Sequence, residues 1–311
     1  MNIRNLKGNL ILILAALIWG LAFVAQDRAA ELIGPFTLNG IRSLIGSAFL
    51  VPVIFILSKR SGRPILEKTK LDRKHLLTAG ILCGVFLCVA VNFQQFGIAL
   101  YPEEAAASGR SGFITALYVI LVPLCGFLFR KRVALTVWLG VGLTVIGMYL
   151  LCFSGGMEGI YLGDIIVLCC AFAFTFQILC IDRFADRVDG VKLSAIQFFV
   201  CGVLSLILMF IFEQPELPNI LAAWFEILYL GIFSSGIAYT LQIIGQQYSQ
   251  NPTVASILMS LESVFALIGG AILLGEQFSI REIFGCVLIF AAIILAQLPS
   301  EKFFRRKAKN A

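Results

Sequence analysis

Apolar stretches of about 20 residues recur along the whole chain, and short polar connections separate them. A helix of about 20 residues crosses a hydrocarbon core about 30 Å thick. The stretches lack the alternation of polar and apolar positions that membrane β-strands show. The pattern therefore predicts ten transmembrane helices. They cover residues 8–26, 37–58, 76–100, 103–129, 133–152, 163–181, 193–212, 223–246, 252–275 and 280–298.

Composition supports the same fold class. Apolar residues make up 59% of the 311 residues and charged residues 14%. Soluble domains have about 45–50% apolar and about 25% charged residues. A soluble protein of this length would need more polar surface to cover its core. We therefore expect an all-α integral membrane protein, with lipid as the solvent for most of the chain.

The positions of lysine and arginine predict the orientation, because such residues concentrate in cytoplasmic loops. They cluster at Arg4 and Lys7, from Lys59 to Lys74, at Arg130 to Arg132, from Arg183 to Lys192 and from Lys302 to Lys309. All five clusters fall on one side if both termini are cytoplasmic. The net charge of +6 then reflects topology and attraction to anionic headgroups of the bilayer. Nucleic acid is not an expected partner.

The residue types that bind metals are poorly placed for it. All nine cysteines fall inside predicted helices without zinc-like spacing, and the single histidine, His75, lies next to Lys74 in a cytoplasmic connection. Buried cysteines pack as small apolar side chains. We expect neither a metal nor a cofactor.

The two halves of the chain resemble each other in order along the sequence. The shift between paired positions is 155 residues at first and 147 later, as different loop lengths require. Pairs include Gly8 with Gly163, Trp19 with Phe174, Arg42 with Gln197 and Gln95 with Gln242. Five helices per repeat is an odd number, so the repeats must be inverted, an architecture that lets a central site open to either side. The predicted units are residues 1–155, residues 156–300 and a basic cytoplasmic tail, residues 301–311.

Several motifs carry a family resemblance: Ala16 to Gly20, Gly112 to Thr115, Gln246 to Tyr248, Leu261 to Val264 and Leu274 to Glu276. Together they resemble the EamA branch of the drug/metabolite transporter superfamily. The resemblance implies the inverted ten-helix fold and transport, but not a substrate. Two departures stand out. Ser263 replaces a frequent proline, so we expect a straighter ninth helix, and Lys131-Arg132 replaces a glycine-glutamate pair.

Charged residues inside a membrane helix cost about 2.5–3.5 kcal/mol at its centre on insertion scales, so they face protein or water. Glu262 lies near the middle of the ninth predicted helix. It is a candidate proton carrier or, alternatively, a structural partner of a neighbouring helix. Arg42 could bind an anionic group such as a carboxylate or extend outward to Asp27 or Glu31. Arg110 could line the pore or mark the rim of the fourth helix.

Uncharged polar residues outline a path. Asn92 and Gln95 share one face of the third helix, and Tyr239, Gln242 and Gln246 share one face of the eighth. These helices are equivalent in the two repeats, so we expect their polar faces to meet around one cavity. Hydrogen bonding between helices is the alternative. Trp19 and Gln177 are weaker candidates for the same lining.

The sequence favours a secondary transporter, specifically an exporter of small metabolites such as amino acids, that works by alternating access. A nucleotide-binding phosphate loop is absent from the sequence, so a proton, another ion or the substrate gradient would drive it. A passive pore or a lipid flippase is the alternative, and an intramembrane enzyme a more distant one. We expect a multi-pass protein of a prokaryotic plasma membrane. Substrate identity, coupling ion and oligomeric state stay open.

Overall fold

The structure is a computed structural model that describes residues 3–61, 69–101, 107–128, 135–152, 161–249, 251–274 and 280–296. Within these ranges the secondary structure is entirely helical. The helices are α1 Ile3–Ala30, α2 Pro35–Ser61, α3 Lys70–Ala99, α4 Ala107–Thr115, α5 Tyr118–Leu128, α6 Leu135–Cys152, α7 Leu162–Phe184, α8 Gly190–Phe212, α9 Leu217–Ala222, α10 Trp224–Leu228, the π-helix Tyr229–Ala238, α11 Tyr239–Ser249, α12 Pro252–Met259, α13 Leu261–Leu274 and α14 Ile280–Ala296.

Six helical segments in the described part of the chain are long and apolar enough to cross a membrane. They are Asn5–Ala30, Pro35–Arg60, Lys70–Ala99, Leu162–Phe184, Gly190–Phe212 and Trp224–Tyr248. Four shorter apolar helices are Ser111–Gly126, Leu135–Gly147, Pro252–Ala266 and Ile283–Ala292. Each of the ten segments overlaps one of the predicted positions, with bounds that differ by up to nine residues. The prediction of an all-helical membrane protein is confirmed, whereas ten crossings and cytoplasmic termini stay predictions.

The outside of the helical bundle is apolar. Phe210 is 77% exposed and its neighbour Phe212 is 69% exposed, values that a soluble protein rarely shows for large side chains in a row. Lipid tails solvate such side chains as well as a protein core does. This surface therefore fits a bilayer.

Three predicted spans contain a backbone irregularity. The span predicted at 103–129 is divided at residues 116–117 into α4 and α5, and the span at 252–275 is divided at Ser260 into α12 and α13. The eighth span contains the π-helix. The ninth span is thus interrupted although Ser263 replaces the proline that is frequent at that position. Ser260 Oγ donates to Ile257 O at 2.7 Å, and the Ser263 N–H bonds to Ser260 O at 3.2 Å, so tight local bonds end α12 without a proline.

Helices of the first half pack mainly against helices of the second half. In the described ranges α1 lies against α11 and α13, α2 against α8 and the π-helix, α3 against α7 and α8, and α6 against α14. Glycines allow these close approaches: a Cβ added at Gly147 would lie 2.7 Å from Gly285 O. The largest buried cluster accordingly mixes both halves, for example Leu87 with Phe198. The halves interleave.

Candidate functional site

A cavity lies among the interleaved helices, with walls from both halves of the chain. It offers about 40 Å³ for the centres of water-sized molecules, which is room for roughly three waters at ~10–15 Å³ each. Polar and aromatic side chains dominate its lining, among them Trp19, Gln26, Arg42, Tyr118, Tyr239 and Glu262. A metabolite larger than a few waters therefore needs the surrounding helices to move apart.

All three backbone irregularities meet at this cavity. Thr115 and Tyr118 flank the division between α4 and α5, and both line the cavity. Met259 and Glu262 do the same around Ser260. Membrane proteins tolerate irregular backbone where it is buried in protein or lines a water-filled cavity, and interrupted helices form the binding sites of many transporters.

The π-helix supplies the third irregularity. Its residue Ser234 lines the cavity, and Tyr239, the first residue after it, also lines the cavity. The Tyr239 N–H bonds to the carbonyl of Ser234, one residue further back than in an α-helix. Such π-helical turns occur frequently at functional sites.

Arg42 forms a cationic wall of the cavity. Its side chain is 3% exposed, so it does not extend into water, and the expectation that it reaches outward to Asp27 or Glu31 is wrong. Arg42 Nε donates to Asn39 Oδ1 at 2.7 Å, and Nη1 donates to Gln26 Oε1 at 3.2 Å. Both acceptors are neutral amides. A guanidinium has five N–H donors, and these two bonds leave donors available to a ligand in the cavity.

A hydrogen-bond network behind Arg42 fixes its partners. Asn39 Nδ2 donates to Asn92 Oδ1 at 3.0 Å, and Asn92 Nδ2 donates to Ser205 Oγ at 2.9 Å. Gln95 Nε2 donates to the backbone oxygen of Gln26 at 2.9 Å. The predicted polar face of the third span thus supports the arginine from behind.

Glu262 forms the acidic wall. It is 5% exposed, and its Oε1 accepts a 2.9 Å hydrogen bond from the hydroxyl of Tyr118. The close approach of α1 to α13 sets the position of Glu262, because a Cβ added at Gly20 would lie 2.8 Å from the Glu262 carbonyl oxygen. The cavity lining thus contains both the Glu262 carboxyl group and the Arg42 guanidinium. Among the described contacts, no direct bond joins these two groups.

Two polar atoms at the cavity have no hydrogen-bond partner among the described residues. They are Trp19 Nε1, a donor, and Gln242 Oε1, an acceptor. The Trp19 ring packs edge to face on Tyr239 with centroids 4.7 Å apart. Buried polar groups are normally satisfied, so these atoms are candidates for contacts with a substrate.

The predicted site residues fall into three groups. Those that line the cavity are Trp19, Arg42, Tyr239, Gln242 and Glu262. Those that are buried nearby but are not part of the lining are Asn92, Gln95, Gln177 and Gln246. Gln177 accepts from Gln242 Nε2 at 3.3 Å, and neither amide atom of Gln246 has a hydrogen-bond partner among the described residues. Arg110 lies in α4, but its side chain falls outside the described part of the chain.

Sequence reasoning missed several lining residues, namely Gln26, Gln94, Thr115, Tyr118 and Ser234. A spacing could have revealed Gln26, because it lies seven residues after Trp19 and so shares its helix face. Gln94 directly precedes Gln95 in α3 and donates to Thr115 Oγ1 at 3.1 Å. Its place in the cavity depends on how α3 is rotated.

Comparison with known proteins adds to this geometry. The sequence pattern of the EamA-like transporter family matches residues 6–153 and residues 161–298. The chain belongs to the EamA-like transporter family. The predicted membership is therefore confirmed, and it indicates a membrane transporter rather than an enzyme.

The relatives of this EamA-like protein are similar over almost their whole length. An uncharacterized transporter of Archaeoglobus fulgidus is 27% identical over 96% of this chain and 88% of its own. The uncharacterized transporter YoaV of Bacillus subtilis is 25% identical over 95% of this chain and 97% of its own. A protein of known crystal structure superposes with a TM-score of 0.75 at 21% identity, covering 95% of this chain and 98% of that chain. This likeness shows a shared fold.

Proposed function

We propose that the protein is a secondary transporter that exports small carboxylate-bearing metabolites, such as amino acids, across the plasma membrane by alternating access. The observation that carries the proposal is the buried Arg42 guanidinium, held by neutral amides, in the same cavity lining as Glu262. Removing an unpaired charge from water is costly. A substrate carboxylate bound at Arg42 would offset that cost.

The substrate carboxylate would lie against Arg42, because a planar guanidinium fork matches a carboxylate. The unpartnered Trp19 Nε1 offers a further donor, and Gln242 Oε1 together with Glu262 would accept from an ammonium group. The ring faces of Trp19 and Tyr239 supply apolar surface for the substrate side chain. A zwitterionic amino acid would bind Arg42 through its carboxylate and Glu262 through its ammonium group at the same time.

Alternating access requires that the cavity opens to each side in turn. The proposal includes ten crossings, two inverted repeats at residues 1–155 and 156–300 and a cytoplasmic tail at residues 301–311. The two separate ranges that match the family pattern support this division. The helix divisions at 116–117 and Ser260 offer bending points next to the substrate.

Energy coupling is assigned to Glu262. A carboxyl group this deeply buried is a candidate to carry a proton through the cycle. Substrate and proton would then compete for the same wall, because an ammonium group and a proton both bind a carboxylate.

The test uses the purified protein in liposomes. Labelled amino acids should show saturable uptake and counterflow, whereas the corresponding amines without a carboxylate should not. Glu262→Gln should abolish the pH dependence of uptake, and full, equally pH-dependent uptake by that variant rules out the proton route. Uptake without counterflow indicates a pore, and movement of labelled lipid without solute indicates a flippase. In cells, expression should lower the internal amino-acid concentration.

A further inference from the structure

Two cysteine side chains from opposite halves of the chain contact each other between α3 and α7. The Sγ atoms of Cys83 and Cys180 lie 3.2 Å apart, and both thiols are free. Cys83 is fully buried, whereas Cys180 is partly exposed. An oxidant that enters the bilayer can therefore reach the pair from the Cys180 side.

Contacts along both helices hold the two sulfur atoms in register. Next to the pair, the rings of Phe86 and Phe176 stack with centroids 5.6 Å apart. At the other end of α3, a Cβ added at Gly163 would lie 2.7 Å from Gly97 O. These contacts place residues of α3 against successively earlier residues of α7, as two antiparallel helices require.

A hydrogen bond just beyond the end of α3 also fixes the position of α3 along α7. The hydroxyl of Tyr101 donates to Asp164 Oδ1 at 2.7 Å. Contacts at this end, in the middle and at the thiols allow little sliding of one helix along the other. The thiol contact is thus a fixed feature of the α3–α7 packing.

We propose that Cys83 and Cys180 form a reversible disulfide that links the two halves of the chain covalently when the protein is oxidised. An S–S bond is about 2.05 Å long, so the sulfur atoms must approach by roughly 1 Å. Each thiol loses one hydrogen as the new bond forms. A diazene oxidant of the diamide class takes up both electrons and both protons and becomes the hydrazine.

A second pair of cysteines provides an internal comparison. Cys88 of α3 and Cys201 of α8 also contact each other. In addition, Cys88 Sγ accepts from Asn92 Nδ2 at 3.4 Å and Cys201 Sγ accepts from Ser43 Oγ at 3.5 Å. Both are buried, so they offer an oxidant no exposed side. Oxidation should therefore select Cys83 and Cys180.

The experiment uses the purified full chain with a protease site inserted within residues 153–160, which separate the halves in sequence. After treatment with diamide and cleavage, we expect the halves to migrate together on a denaturing gel and to separate when dithiothreitol is added. Peptide mass mapping should find Cys83 joined to Cys180 with the loss of two hydrogens.

Variants that each lack one cysteine provide the controls. Cys83→Ser and Cys180→Ser should each abolish the linked product, whereas Cys88→Ser and Cys169→Ser should leave it unchanged. Halves that separate without reductant, or a link that maps to other cysteines, overturn the proposal. Monodisperse elution of each variant shows that it is folded. The readout does not depend on transport, so its failure is distinct from failure of the proposed function.

Discussion

The hydroxyl of Tyr118 donates a 2.9 Å hydrogen bond to Glu262 Oε1, and each residue stands just after the division in its own helix. Tyr118 belongs to the first half of the chain and Glu262 to the second. The bond therefore joins the two interrupted helices at the cavity. Opening the cavity between α5 and α13 requires this bond to lengthen or break.

We predict that Tyr118→Phe and Glu262→Leu are strongly non-additive. Either change removes the same bond, because phenylalanine lacks the donor and leucine lacks the acceptor. A bond to a charged group is worth about 1.5–3 kcal/mol, so the double variant should transport about as slowly as the slower single variant. Uptake rates in liposomes measure the cycle. Tyr229→Phe is the matched control, because its hydroxyl bonds to Ile18 O and that residue is not part of the cavity lining. Additive effects would show that the two side chains act separately.

Arg42→Lys should lower kcat/KM for carboxylate substrates by roughly tenfold to a hundredfold. Lysine keeps the charge but loses the planar donor fork, and one good charge-assisted bond is worth about 1.5–3 kcal/mol. Initial uptake rates over a range of substrate concentrations provide the measurement. Arg28→Lys is the control, because it makes the same substitution at an exposed arginine and should leave kcat/KM unaltered. Unaltered kinetics of the Arg42→Lys variant would show that Arg42 does not bind the substrate carboxylate.

Gly20→Ala should destabilise the protein by about 1–3 kcal/mol, because the added methyl group meets packed backbone. The new Cβ would lie 2.7 Å from Ala266 N and 2.8 Å from Glu262 O. Thermal unfolding of the detergent-purified protein measures the change. Gly142→Ala is the control, since a Cβ there meets nothing within 4 Å, and it should be neutral or slightly stabilising. Equal midpoints for the two variants would contradict the close packing of α1 on α13.

Glu213→Gln should loosen the start of α2. The Glu213 carboxylate accepts hydrogen bonds from Phe36 N and Thr37 N, each 2.8 Å long, and from Thr37 Oγ1 at 2.6 Å. An amide keeps only one of the two acceptor oxygens, so at least one of these donors would face an N–H group, and losing such a cap costs about 0.5–2 kcal/mol. Hydrogen exchange of the first turn of α2 should rise. Glu216 is exposed, and its carboxylate accepts only from Asn219 Nδ2 in the described contacts, so Glu216→Gln should leave exchange in the first turn of α2 unaltered.

The membrane topology can be tested across one helix. Asp186 and Glu216 lie beyond opposite ends of α8. In a variant that lacks the native cysteines, an impermeant thiol reagent added to intact cells should label Glu216→Cys and should label Asp186→Cys only after permeabilisation. The physical reason is the concentration of lysine and arginine on the Asp186 side. Labelling of both from outside would contradict a membrane-spanning α8.

Apolar run length was enough to predict the helices, because bilayer thickness constrains each one separately. The helix interruptions were not predictable in that way: Pro52 and Pro123 lie inside unbroken helices, whereas α12 ends at Met259 without a proline there. Arg42 and Glu262 stood out because charges are rare in apolar segments. The sequence did not reveal that Gln94, and not Gln95, lines the cavity. Both are polar, and the rotation of α3 depends on its neighbours in space.

The interleaved packing has a consequence for how the protein is made. The helix α1 is synthesised first, yet its main partners, α11 and α13, lie in the last quarter of the sequence. Until those residues leave the ribosome, lipid and membrane insertion factors must shield the face of α1 that carries Trp19 and Gln26. A chain that ends prematurely after α6 therefore lacks the main packing partners of α1, α2, α3 and α6, and quality-control proteases can recognise the uncovered helix faces as incomplete.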